Sequence, residues 1–231
     1  MTNDPRILAL AFIGGILPSL FWLWFWLKEE KHREPRAIIG ICFIIGMITV
    51  ILVLPIQKFI QINIHSQELQ IIGWATIEEI AKYLVVIIVL YKTAYINEPM
   101  DWPMFIITSA LGFAAFENML FLIKPISLGE TTVGLLTGYL RFLGSTLLHA
   151  VSSGIIGIMA GLSFYLRDYA KKIYVIIGVI LAVTLHSIFN FFIMKGSGEN
   201  FLSVFGFLWV VTIINILIFE KLKRMGKYVK A

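Results

Sequence analysis

Charge is scarce in this sequence and cysteine nearly absent. Of 231 residues only 14% are Asp, Glu, Lys or Arg, and Cys42 is the one thiol. Soluble domains carry roughly 25% charged residues, so a water-soluble globule is excluded. A lone cysteine rules out an intrachain disulfide framework and a cysteine-rich metal site. Also missing are a GxSxG nucleophile elbow, an HExxH zinc helix and a glycine-rich phosphate loop, which removes the commonest serine-hydrolase, zinc-peptidase and nucleotide-binding readings. There is no internal repeat and no low-complexity linker.

What fills the sequence is apolar: 59% of residues. At about 20 residues per crossing, the apolar runs predict seven spans, at 7–27, 37–57, 69–91, 102–123, 133–164, 173–194 and 201–219. The expected fold is all-α, a polytopic membrane helix bundle forming a single transmembrane domain over 1–231 with its motif-bearing core at about 69–194. The first run is too long for a signal-peptide core and no small-residue cleavage site follows it, so it is expected to stay as a helix. The fifth run would reach roughly 48 Å as one helix at 1.5 Å per residue. It must tilt, protrude or break near Gly138 or Gly144.

The net charge of +5 reflects basic loops, which read as orientation signals and not as a nucleic-acid surface. With the N-terminus outside, the inner segments hold thirteen Lys and Arg: Lys28, Lys31, Arg33, Arg36, Lys92, Arg167, Lys171, Lys172 and five beyond position 220. The outer segments hold four, Arg6, Lys58, Lys124 and Lys195. An N-out, C-in arrangement follows. Trp22, Trp24 and Trp26, just before the first basic loop, read as an interfacial aromatic belt anchored in lipid.

Several spans nevertheless contain ionisable residues: Glu78, Glu79 and Lys82 in the third, Glu117 in the fourth, Arg141 and His149 in the fifth, His186 in the sixth. A charge at the centre of a span costs on the order of 3 kcal/mol on insertion scales, so such residues face the bundle interior and mark function. Lys82 reaches back to Glu78 or Glu79 at i, i+4 and i, i+3 spacing. Adjacent on a helix, the two acids point about 100° apart, so one can be paired for structure while the other does chemistry. Lys82 and Arg141 read as charge partners. Ser145, Ser152 and Ser187 read as packing or back-bonding hydroxyls, and the glycines at 154, 157 and 161 as close helix contact. In the N-out arrangement Glu79, Glu117 and His186 lie roughly 15, 9 and 12 Å below the outer end of their spans, a common depth in the outer half of the membrane. The depth of His149 stays open.

Carboxylates and imidazoles in a dry cavity fit two hydrolytic mechanisms. A glutamate can activate water, with a histidine and the Asn190 amide stabilising the oxyanion. Alternatively Glu and His hold a divalent metal such as zinc, for which Glu79, Glu117, His149 and His186 are the candidates. Proton- or solute-coupled transport and a non-catalytic membrane scaffold are the readings from other classes.

Glu78-Glu79-Ile80-Ala81-Lys82 matches EExxK, Phe113 to Glu117 followed by Asn118 matches FxxxE with a trailing Asn, and His186 to Asn190 matches an HxxxN-type motif. In this order, with Arg141 and His149 between, the set resembles the PrsW family of intramembrane proteases, relatives of the CAAX-prenyl endopeptidases and the wider CPBP group. The resemblance covers 78–190. It implies a multi-pass protease of the prokaryotic plasma membrane that cuts a single-pass membrane protein near its outer face, an anti-sigma factor in the best-known members. It further implies that Glu78 or Glu79 activates water, that Glu117, His149 and His186 complete the site, that Asn190 polarises the carbonyl, and that Lys82, Asn118 and Arg141 support them. Glu117 stands where the prenyl endopeptidases carry histidine.

Overall fold

The computed structural model describes residues 4–28, 35–91, 93–195 and 201–228. Among these the chain forms α1 (Pro5–Leu27), α2 (Arg36–Asn63), α3 (Gln67–Val89), α4 (Asp101–Ser127), α5 (Thr131–Leu140), a single π-helical turn (Arg141–Ser145), α6 (Thr146–Leu162), α7 (Asp168–Lys195) and α8 (Phe201–Tyr228), with no strand. Seven rods therefore stand where seven runs are expected. Six of them are long and apolar enough to cross a membrane by composition. The remaining rod, α3, has 23 residues, the same length as α1. It fails that criterion of composition while carrying Glu78, Glu79 and Lys82, all of which it turns inward. Several helices run past the expected spans, α2 to Asn63 and α8 to Tyr228, because polar end turns continue the helix beyond the apolar stretch.

Helix ends follow local chemistry. Asp4 caps α1 by accepting from the Arg6 N–H at 2.9 Å, and Ser66 caps α3 by accepting from the Leu69 N–H. Gly129, at φ 70°, ends α4 in the left-handed conformation that suits glycine. The loop before α4 is pinned by Asp101, whose Oδ2 accepts the N–H groups of Asn97 and Glu98 at 2.7 and 2.6 Å.

Helices α4 and α6 are the inner pair, buried over most of their length, and α1, α2, α3, α7 and α8 surround them. Close approach relies on missing side chains. A Cβ on Gly112 would sit 2.0 Å from the Phe43 carbonyl oxygen, one on Gly46 2.2 Å from that of Ser109, and one on Gly157 2.3 Å from Pro103 Cα. The first two glycines zip α2 to α4, and Gly157 with Gly161 seats α6 against the start of α4, as small-residue interfaces do in membranes.

The fifth run breaks at the π turn, which contains Gly144. The tryptophan expectation needs correcting: Trp24 is exposed, but Trp22 and Trp26 are buried. The Trp22 indole N–H donates to the Phe142 carbonyl at 3.1 Å, and Trp26 packs edge-on against Phe219. Two of the three rings are thus core residues joining α1 to the π turn and α8. That contact, with Leu222 against Gly161 and Glu98 near Gly226, gathers the C-terminal ends of α1, α6 and α8 at one end of the bundle. Lys28, Lys171, Lys172, Lys221, Lys223 and Arg224 all belong to that end; Lys31, Arg33, Lys92 and Lys230 lie outside the described residues.

Candidate active site

Glu79 is wholly buried and fully engaged. Its Oε1 accepts from Lys82 Nζ at 2.8 Å, from His186 Nδ1–H at 2.8 Å and from the Ser152 hydroxyl at 3.1 Å, while Oε2 accepts from the Ser153 hydroxyl at 2.6 Å. Donors from α3, α6 and α7 therefore converge on one carboxylate. With Nδ1–H committed to Glu79, a neutral His186 ring presents its Nε2 lone pair on the opposite side.

Glu78, one residue earlier, lies on a different side of α3. Its Oε1 accepts from the Gln57 amide of α2 at 2.7 Å, whereas its Oε2, buried, accepts no hydrogen bond. That oxygen stands 3.7 Å from His186 Nε2 and 4.0 Å from His149 Nδ1. The three ligand-capable atoms lie within 4.8 Å of one another, the one such trio among the described residues. The imidazoles meet edge to face, with centroids 5.1 Å apart.

Glu117 serves His149 as Glu79 serves His186. His149 Nε2 lies 3.1 Å from Glu117 Oε2, an oxygen also bound by the Arg141 guanidinium. Arg141 Nε donates to Asn118 Oδ1, and the Asn118 amide donates to Thr146 Oγ1 at 2.8 Å. The π turn makes this convergence possible. On an uninterrupted helix Arg141 and His149 would project about 80° apart; one residue absorbed in a π bulge cuts that to about 20°. Both can then address the same carboxylate.

Lys82 Nζ, completely buried, lies 2.8 Å from His149 Nδ1 and 3.7 Å from Glu78 Oε2 as well as on Glu79, and sits 4.7 Å above the Phe113 ring. Phe113 thereby walls the cluster on the α4 side. Three carboxylates face two permanent cations, leaving one negative charge to be met by the imidazoles or by an added cation. Each histidine has one nitrogen turned to a carboxylate and the other toward Glu78 Oε2. That is the arrangement by which carboxylates orient metal-ligating imidazoles, so the residues fit a divalent metal.

All nine residues singled out from the sequence are described, and eight join this network. Asn190 is half-buried one turn beyond His186, and its side chain makes no hydrogen bond among the described residues. The trio differs from the expected metal set, with Glu78 in place of Glu79 and Glu117, which stand behind the imidazoles. Ser152, read as a packing hydroxyl, donates to Glu79 besides contacting its own helix. Gln57, Ser153 and Thr146 were not anticipated. Gln57 closes the second apolar run at its very last residue and reads there as a span boundary; nothing in one chain's periodicity announces a bond to another helix.

Residues 34–218 match the family model described as PrsW family intramembrane metalloprotease. The chain is 29% identical to a protein named Protease PrsW from Shouchella clausii, over 94% of this chain and 97% of that one. The Protease PrsW of Oceanobacillus iheyensis is 28% identical over 88% and 93%, and that of Bacillus subtilis 26% identical over 77% and 80%. No solved structure matches significantly.

Proposed function

The chain belongs to the PrsW family of intramembrane metalloproteases, and from that premise we propose that Glu78 Oε2, His149 Nδ1 and His186 Nε2 hold the metal at which a peptide bond of a single-pass membrane protein is hydrolysed. The protein is a membrane peptidase and a multi-pass protein of the bacterial cell membrane, so the transport and scaffold readings fall. The observation that carries the proposal is the buried Glu78 Oε2, without a hydrogen bond and facing two imidazole nitrogens. When bound, a divalent metal supplies a water of lowered pKa and a Lewis acid for the scissile carbonyl.

The chain's own residues do the rest. Glu79 fixes the His186 tautomer by taking its Nδ1 proton in a hydrogen bond, and Glu117 does the same for His149 through Nε2. Gln57 holds Glu78 Oε1, which aims Oε2 at the imidazoles. Arg141 neutralises Glu117 and locks Asn118. Glu117 keeps a second oxygen, Oε1, free of hydrogen bonds among the described residues, and its side chain is 19% exposed. It is the carboxylate placed to accept the proton of an attacking water and return it to the leaving amine. The Asn190 amide donates to the developing oxyanion. Lys82 Nζ, 2.8 Å from both His149 Nδ1 and Glu79 Oε1, would keep its Glu79 partner if a metal took the His149 nitrogen.

In the proposed N-out arrangement the cluster lies in the outer half of the membrane and the substrate is cut near its extracytoplasmic side; an anti-sigma factor is the substrate class that the resemblance to the best-known family members implies. The test is cleavage of a single-pass substrate co-reconstituted in liposomes. Glu78→Gln and His186→Ala are expected to abolish cleavage while the purified variants remain monodisperse and helical. Cleavage retained by both would overturn the proposal.

A further inference from the structure

A cavity of about 630 Å³ opens at the basic end of the bundle, between the last turns of α3 and α6, the first turns of α4 and α7, and the loop that precedes α4. Most of its lining lies far from the candidate site, although Tyr83 on α3 directly follows Lys82. Along their helices, Trp102 lies about 22 Å from Glu117 and Lys172 about 21 Å from His186 at 1.5 Å per residue. Its size falls within the range of small-molecule sites, roughly 300–1,000 Å³.

Two kinds of residue line it. Trp102, Phe164, Val175 and Ile176 offer an apolar wall, and Lys171 and Lys172 offer two adjacent ammonium groups; no acidic residue contributes. Lys171 is held only loosely, 3.7 Å from an Asp168 carboxylate that is 93% exposed, a pairing of little strength in water. Lys172 is exposed and forms no ion pair among the described residues. The wall beside Trp102 is firm, because Asp101 ties down the loop that brings Ile96 to the cavity.

An apolar wall excludes a hydrated anion as sole occupant, and paired lysines disfavour a neutral one. A ligand satisfying both is amphiphilic and anionic, and the bilayer supplies that chemistry where helix ends meet the headgroup layer. We propose that this cavity binds one anionic phospholipid, its phosphate between Lys171 and Lys172 and the glycerol end of its acyl chains along Trp102 and Phe164. Basic pockets between membrane helices recognise anionic headgroups by this combination.

Native mass spectrometry of the delipidated protein, titrated separately with phosphatidylglycerol and phosphatidylcholine, tests it. The first phosphatidylglycerol is expected to bind about tenfold more tightly than the first phosphatidylcholine. In K171Q/K172Q that preference falls below about twofold, whereas K221Q/R224Q, on α8 at the same end, keeps it. Ala160→Trp, which fills the cavity with both lysines intact, is expected to weaken phosphatidylglycerol binding. Three results would overturn the proposal: equal binding of the two lipids by the unaltered protein, equal loss of preference in the α8 variant, or displacement of phosphatidylglycerol by millimolar inorganic phosphate.

Discussion

Glu78 and Glu79 leave α3 about 100° apart, and their surroundings differ accordingly. Four donors saturate Glu79, whereas Glu78 is held by Gln57 through one oxygen and presents the other to two imidazoles. Substitutions should separate these roles. Glu78→Gln is expected to remove activity with little change in stability, because the buried ammonium keeps Glu79. Glu79→Ala strips a buried cation of its main partner and is expected to cost about 3–5 kcal/mol, read as a large fall in thermal midpoint in detergent. Gln57→Leu leaves the fold intact but frees Glu78 Oε1, and should lower metal affinity or kcat/KM by about 10–100-fold. The sequence suggested that one acid of the pair can be paired for structure while the other does chemistry, since one lysine cannot neutralise both well. It could not show which, because the deciding groups, Gln57, Ser152, Ser153 and His186, come from three other helices.

At the scale of the helix, seven rods were legible as apolar runs, and α3 was legible despite its charges because those charges recur with helical spacing. The length of the fifth run required it to tilt, protrude or break, and the structure supplies a π turn at Arg141–Ser145. Hydropathy does not distinguish a tilt from a bulge, yet the bulge brings Arg141 and His149 onto one carboxylate. The buried Trp22 and Trp26 show the limit of compositional rules: an aromatic cluster beside a basic loop looks interfacial until a partner such as Phe142 or Phe219 is placed against it. Helix contact through glycine is a sharper signal. In Gly112→Val the added side chain collides with the Phe43 backbone of α2, which cannot yield as a flexible side chain does. Overpacking of this kind typically costs about 1–3 kcal/mol. The variant is expected to lose thermal stability and activity together, whereas Gly40→Val, at a position with nothing within 4 Å, should lose neither.

For the molecule as a whole, the proposed active-site cluster sits among α2, α3, α4, α6 and α7, and Lys28, Lys171, Lys172, Lys221, Lys223 and Arg224 gather at one end of the bundle. The excess of Lys and Arg at that end is the basis for the proposed N-out arrangement, in which the candidate site faces the outside. Cysteine labelling reads this directly, since the native Cys42 is buried. A cysteine in place of Lys221 is expected to react with a membrane-impermeant maleimide in inverted vesicles and not in intact spheroplasts; the reverse pattern would place the cluster near the cytoplasmic face.

The central claim is that side chains from three helices form one metal site. Its most direct measurement is the metal content of protein purified without chelator, for the unaltered chain and for Glu78→Gln, His149→Ala and His186→Ala, by inductively coupled plasma mass spectrometry. A single equivalent of a divalent transition metal in the unaltered chain, lost from all three variants, is the expected result. A cleavage-competent protein with no stoichiometric metal, or full occupancy in the three variants, would contradict it.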